Sequence, residues 1–160
     1  MRTDRLVLSR FASEDAATLF AYRSDPDVNR YHGWVPANLE EVVAFVGEQR
    51  VLAFDTPGTW FQLAMRERDG SDLVGDVGVR FPDPDTRQVE IGVTVMPAAQ
   101  QRGYAAEAVN GLLGFLFETC GKHRVFASVD PRNAASIALL RRVGFRQEAH
   151  FRESLWIRGE

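Results

Sequence analysis

The chain has 160 residues, of which 45% are hydrophobic and 26% charged, and carries a formal net charge of −3. That length and mixture fit one globular domain over residues 1–160 and exclude a disordered or low-complexity chain. The slight acidity speaks against a nucleic-acid partner, which demands a basic face. The lone Cys120 excludes an internal disulfide and a cysteine-based metal cluster, and it reads as a small buried filler. No apolar run approaches the roughly 18 residues of a membrane span. MRTDRLVLSRF lacks the apolar core of a signal peptide, so the expected location is cytoplasmic.

In chain order, Arg5 to Phe11 sets Leu6 and Leu8 between polar neighbours and predicts a strand. Ser13, before Glu14 and Asp15, predicts a helix start with Ala17, Leu19 and Phe20 on its apolar face, ending at Asp25-Pro26. Tyr31 to Pro36 is an aromatic loop without a period that either walls a ligand pocket or lids the core. A second helix is predicted from about Asn38 to Leu52, with Glu40 and Glu41 in its first turn. Trp60 to Met65 and Leu73 to Phe81 read as strands joined through Asp69-Gly70, a hairpin signal, and Gln88 to Val95 adds a third in an antiparallel meander. Apolar residues from Ala105 to Phe117 recur at helical spacing, and Gly121 ends that helix. Arg124 to Val129 then reads as a strand parallel to its predecessor. Asp130-Pro131-Arg132-Asn133 leads into a helix closed by Gly144, and Phe145 to Phe151 and Ser154 to Arg158 are predicted as final strands. The fold class is α+β.

The junction between Val95 and the long helix is the most informative segment. Gln100, Gln101, Arg102, Gly103, Tyr104 and Ala105 open a helix whose first N–H groups have no intrahelical partner, and this arrangement grips a phosphate. Gly103 and Ala105 let a ligand approach the backbone, and Arg102 is placed to add a charge. No G-x-x-x-x-G-K-[ST] and no G-x-G-x-x-G with its acidic partner is present, so the P-loop and dinucleotide fingerprints are excluded. A phosphorylated cofactor of another kind remains.

Gln100-x-x-Gly103-x-Ala105, Asn133-Ala134-Ala135-Ser136 and Val143-Gly144-Phe145 together resemble the GNAT superfamily of acyl-CoA-dependent N-acyltransferases. Asp4 to Arg10 and Ser24 to Val28 are similar to its ribosomal-protein N-terminal acetyltransferase branch, the RimJ and RimL type. The resemblance implies a mixed, mostly antiparallel V-shaped sheet flanked by helices, splayed between its fourth and fifth strands around acetyl-CoA. It implies that the pyrophosphate rests on the loop Gln100 to Ala105, that the pantetheine arm pairs with the strand at Thr94 and Val95, and that Asn133 and Ser136 contact the arm or the thiol end. Asn133 also stands where a helix N-cap belongs, and one residue can serve both ends.

Acetyl transfer to an amine needs a base, because a lysine-like amine of pKa about 10.4 is almost wholly protonated at pH 7. An α-amine near pKa 8 carries a much smaller handicap of about 1.4 kcal/mol. Glu90 is the first candidate base, acting directly or through water, with a structural ion pair as the alternative reading. Glu153 is the second, and a backbone N–H at Val95 is the candidate oxyanion donor. Many GNAT enzymes carry a tyrosine acid in the last helix. Leu139-Leu140-Arg141 departs from that pattern, leaving Ser136 or water to protonate sulfur. His32 is placed to contact substrate. No spacing of side chains suggests a metal.

The expected activity is direct acetyl transfer from acetyl-CoA to a primary amine, foremost a protein N-terminal α-amine. The rivals are a small amine such as an aminoglycoside, polyamine or amino acid, drawn by Asp25, Asp27, Glu40 and Glu41, and a catalytically idle acyl-CoA sensor. Strand edges near the C-terminus leave room for a homodimer.

Overall fold

A computed structural model describes residues 1–70 and 72–154. Its centre is a five-stranded sheet in the order β1-β2-β3-β4-β5, made of Leu6–Ser9, Trp60–Glu67, Leu73–Arg80, Gln88–Val95 and Arg124–Phe126. The first four strands are antiparallel in sequence order, and β5 lies parallel to β4. The helices are α1 Asp15–Arg23, α2 Pro26–Asn29, α3 Leu39–Val51, α4 Tyr104–Gly114 and α5 Ala134–Arg142.

Strand alternation sorts the sheet into two faces. On one, Val77, Val79, Val89 and Ile91 pack with Ala108, Val109 and Leu112 of α4. On the other, Ala64 meets Ala16, Leu19 and Tyr22 of α1 and Val42 and Val46 of α3. Asp76 of β3 contacts Tyr22, so Asp76, Gly78 and Arg80, with their cross-strand partners Thr94, Gly92 and Glu90, belong to the α1 and α3 face.

β5 pairs with β4 only at Gln88↔Arg124, Val89↔Val125 and Glu90↔Phe126. β4 continues to Val95 while β5 has ended, and the sheet opens into a V.

Several boundaries differ from the sequence reading. Ser13 does not cap α1, which begins at Asp15; the Asp15 carboxylate turns back to accept from Ala12 N–H, and the Ser13 hydroxyl accepts from Arg50. Asp25-Pro26 does end α1, but Asp25 also caps the short α2 by accepting from Asp27 N–H at 2.9 Å. The α4 pattern passes into a π-helical turn over Phe115–Thr119, and the fifth strand is shorter than the expected Arg124 to Val129. The strand predicted over Phe145 to Phe151 does not form: among the described residues no strand edge pairs with it, and Phe151 is 76% exposed. The strand predicted over Ser154 to Arg158 falls, beyond Ser154, outside the described residues.

Candidate active site

Met96 N–H donates to Val74 O at 3.0 Å, and Val95 stands opposite Gly75. In an antiparallel ladder the bonded pairs alternate, so the N–H and C=O groups of Val93 and Val95 point away from β3 and into the V. Gln100 Nε2 donates to Val95 O at 3.1 Å, which leaves the Val93 backbone and Val95 N–H facing the opening. Thr94 is oriented differently. Its backbone faces β3, where Thr94 O would lie 2.1 Å from a Cβ placed on Gly75, and its hydroxyl contacts His32. The backbone edge that faces the opening therefore belongs to Val93 and Val95.

The loop Pro97–Gly103 brings the start of α4 to the same opening. Gly103 holds a left-handed φ of 81° at the N-cap, and Gln101 is also left-handed at φ 59°, a conformation uncommon outside glycine. The first bond across the helix start runs from Glu107 N–H to Gly103 O, so the amides of Tyr104, Ala105 and Ala106 have no intrahelical acceptor. Gln101, Arg102 and Gly103 are exposed beside them. A helix N-terminus whose first amides lack intrahelical acceptors fits the diphosphate of a coenzyme A.

The side chains around this mouth hold it in place and do not enter it. Arg102 pairs with Glu67 at 2.7 Å and lies over the Tyr104 ring, so its charge is engaged away from the mouth. Tyr104 is buried and donates to Glu67 at 2.6 Å; this bond holds the Glu67 carboxyl below its ordinary range and lifts the Tyr104 phenol. Arg5 donates to Glu107 at 2.7 Å and to Arg102 O at 2.9 Å. Burial works against the charged form of Glu107, yet hydrogen bonds from Thr3 and Arg5 outweigh it and keep its carboxyl low. The Thr3–Glu107 bond and the Arg5 fork pin β1 to the start of α4.

Glu90 is 8% exposed and accepts from Arg80 Nη1 at 3.2 Å. It stands at the last β4–β5 pair, where the V begins. Beyond it on the same face is Gly92, with Trp60 3.9 Å from the site of a Cβ. The aromatic loop covers this side: Trp34 Nε1 donates to Glu41 at 2.6 Å, and Tyr31 Oη reaches Arg132 O at 3.3 Å, bridging to the segment before α5.

Asn133 caps α5, its side-chain oxygen accepting from Ser136 N–H at 3.1 Å. That carbonyl is thereby engaged, and Ser136 is half-buried in the first turn of α5. Glu153 is exposed with a left-handed φ of 48°, and among the described residues no bond joins it to Glu90. The acids Asp25 and Glu41 serve as local caps, Glu41 held below its ordinary range by the Ala37 N–H and the Trp34 indole. Among the described residues no group of three or more His, Cys, Asp and Glu side chains is placed to hold a metal, and no helix is long and apolar enough to cross a membrane.

The sequence reading missed the buried polar cluster on this face. Asp76 Oδ2 accepts from Tyr22 at 2.6 Å and Asp76 Oδ1 from Arg23 at 2.5 Å, and Arg23 reaches on to His32. Its signal was a carboxylate set in the apolar run Leu73 to Phe81.

The sequence that builds this geometry, an edge opened between β4 and β5 and facing a helix mouth, matches the acetyltransferase (GNAT) domain over residues 5–146. The chain belongs to the GNAT acetyltransferase family. YoaA of Bacillus subtilis, described as an uncharacterized N-acetyltransferase, is 29% identical over 99% of this chain and 89% of its own length. The ribosomal protein uS5-alanine N-acetyltransferase of Escherichia coli is 26% identical over 100% of this chain and 84% of its own. Among solved structures, a GNAT-family acetyltransferase from Bacillus anthracis superposes with a TM-score of 0.88 at 24% identity, covering 100% of this chain and 91% of that one. The spermidine N-acetyltransferase of Vibrio cholerae, in complex with CoA and spermine, gives 0.80 at 19% identity, covering 96% and 88%. This GNAT chain is therefore an N-acetyltransferase with a mixed α+β fold.

Proposed function

We propose that this acetyltransferase moves the acetyl group of acetyl-CoA directly to a protein N-terminal α-amine, with both substrates bound at once. The observation that carries the reading is the β4 edge between Glu90 and Val95 that β5 leaves uncovered, laid beside the amides of α4 that lack intrahelical acceptors. A diphosphate anchored at Gln101 to Ala106 sends the pantetheine arm back along Val95 toward Val93. The thioester, being farther from the anchor, comes to Val93, whose N–H replaces that of Val95 as the donor to the developing oxyanion. Gln100 steadies the Val95 carbonyl, and Asn133 and Ser136 flank the far side.

Glu90 precedes Val93 by three residues, a span of roughly 10 Å along a strand. A carboxylate at that distance takes the ammonium proton through water and not by direct contact. The amine nitrogen then forms the C–N bond to the acyl carbon, the C–S bond breaks, and the second proton shed by the nitrogen passes through water to the departing coenzyme A thiolate. Glu153 has no place in this sequence.

Two arguments support an α-amine acceptor. Deprotonating a lysine-like or polyamine nitrogen costs about 4–5 kcal/mol at pH 7 against about 1.4 for an α-amine. Glu90 is paired with Arg80, so it offers little excess negative charge to collect a polycation. The full-length similarity to the uS5-alanine enzyme agrees.

The test is thiol release from acetyl-CoA with peptides bearing a free α-amine, the same peptides blocked at that amine but containing lysine, spermidine, and an aminoglycoside. Turnover with free α-amines alone is expected. Turnover with spermidine or the aminoglycoside alone overturns the acceptor, and tight CoA binding without turnover on any amine points to a sensor.

A further inference from the structure

The acetyl-transfer scheme leaves unused a continuous chain of polar side chains on the α1 and α3 face of the sheet. Tyr22, Arg23, Asp76 and Thr94 are between 2% and 7% exposed, and they come from α1, β3 and β4. Asp76 accepts from both Tyr22 and Arg23. Arg23 Nη1 stands 3.1 Å from His32 Nδ1, and His32 Nε2 stands 3.3 Å from Thr94 Oγ1. The far end of this chain is Thr94, a β4 residue beyond the last pairing with β5, flanked by Val93 and Val95. A buried ion pair is weak evidence of stabilisation, so a positional role accounts better for its presence here.

The chemistry of the donors fixes the state of the imidazole. A guanidinium only donates, so His32 Nδ1 must present its lone pair to Arg23, and the ring proton lies on Nε2. Asp76 holds the guanidinium in that orientation from the other side. A second ring proton would set N–H against N–H. His32 therefore donates to Thr94 and has no lone pair available for an incoming ammonium proton. The histidine beside the cleft is thus excluded as the base, and its neighbours suit it to another task.

We infer that His32 is a positioning residue: locked as the Nε2–H tautomer by Arg23 and Asp76, it docks the Tyr31 to Pro36 loop onto Thr94 and so sets the acceptor wall of the cleft. Among the described residues, Tyr31 to Arg132 and Trp34 to Glu41 hold the loop's flanks, and His32 ties it to β4. The kinetic part of this inference rests on the acetyl-transfer reading, whereas the tautomer does not.

The test compares His32→Ala with His32→Gln. A glutamine amide repeats the order of the neutral ring, with an oxygen to accept from Arg23 and an N–H to donate to Thr94. His32→Ala is expected to raise the acceptor KM about tenfold while leaving the Kd for CoA within about twofold, and His32→Gln to recover most of that loss. The pH–rate profile of His32→Gln is expected to keep the rising limb of the parent enzyme. Nitrogen-15 spectra of the labelled protein at pH 7 are expected to show His32 protonated at Nε2 alone. A glutamine variant no better than alanine, loss of the limb in the glutamine variant, or a ring protonated at Nδ1 overturns the inference. If the parent enzyme acetylates no amine, the functional reading fails, and the spectra still decide the tautomer.

Discussion

Replacing Gly103 by alanine isolates the strain on which the helix mouth depends. Gly103 sits at φ 81° and ψ 4°, a left-handed backbone that costs an L-residue about 1–2 kcal/mol. A Cβ there would lie 3.3 Å from Arg5 Nη2, the end of a flexible and half-exposed side chain, so steric conflict adds little. Gly114 is the control: its backbone is right-handed and nothing lies within 4 Å of a Cβ, so Gly114→Ala should stabilise by about 0.4–1 kcal/mol through the stiffer unfolded chain. Both substitutions change the unfolded state alike, and the difference between them is the strain. Because the CoA-bound state needs the same mouth, the strain must appear in folding, in binding or divided between them. Arg5 pins Arg102 O and Gln100 pins Val95 O, so folding should carry most of it. Relative to Gly114→Ala, Gly103→Ala should lower Tm by about 2–8 °C for a domain of this size. Calorimetry of unfolding and of CoA binding measures both parts. If the summed free energies of the two variants agree within a few tenths of a kcal/mol, the left-handed cap is not what shapes the mouth.

Arg102→Ala should weaken CoA binding less than about fivefold, since an exposed arginine already paired with Glu67 contributes at most about 1 kcal/mol; a tenfold loss in a CoA titration would mean that the side chain, and not the main chain, grips the diphosphate. Asp76→Ala leaves the Arg23 guanidinium buried without its counter-charge and should destabilise by about 3–5 kcal/mol in urea unfolding, whereas a near-neutral result would show that the pair is not buried. Glu107 has a folded-state carboxyl below the ordinary range, so the stability it lends is full above about pH 4.3 and lost as pH falls through the lower folded value. Glu107→Gln should therefore melt below the parent protein at pH 7, and the gap should shrink steadily as pH falls below about 4.3; a gap that does not shrink in acid would contradict the charge-based account.

The elements that were legible in the sequence carry their pattern locally. Asn38 with Glu40 and Glu41 marked α3, and it caps that helix by accepting from Glu41 N–H. The Asp69-Gly70 signal and three β-rich runs gave the meander, and a long helix before Arg124 allowed β5 to be parallel. Phe145 to Phe151 failed because alternation describes a strand's faces and says nothing of whether a partner edge is available. Arg102 beside Gly103 reads as an anion ligand until Glu67, distant in sequence, is seen to take it.

The chain from Tyr22 through Asp76 and Arg23 to His32 and Thr94 joins residues from separate elements and has no local period. Only Asp76, a charge between glycine and valine in a strand buried from Leu73 to Val79, hinted at it. The gap-facing role of Val93 follows from ladder parity. That parity required the register with β3, which composition does not fix.

The most direct measurement of the central claim is the pH dependence of single-turnover acetyl transfer to an α-amine peptide by the parent enzyme and by Glu90→Gln, alongside CoA titrations of both. A base working through water at the mouth of the V predicts a loss of about 10²–10⁴-fold in the chemical rate and of the rising limb, with the Kd for CoA within about twofold. A Glu90→Gln enzyme that keeps both its rate and its pH profile would contradict the account.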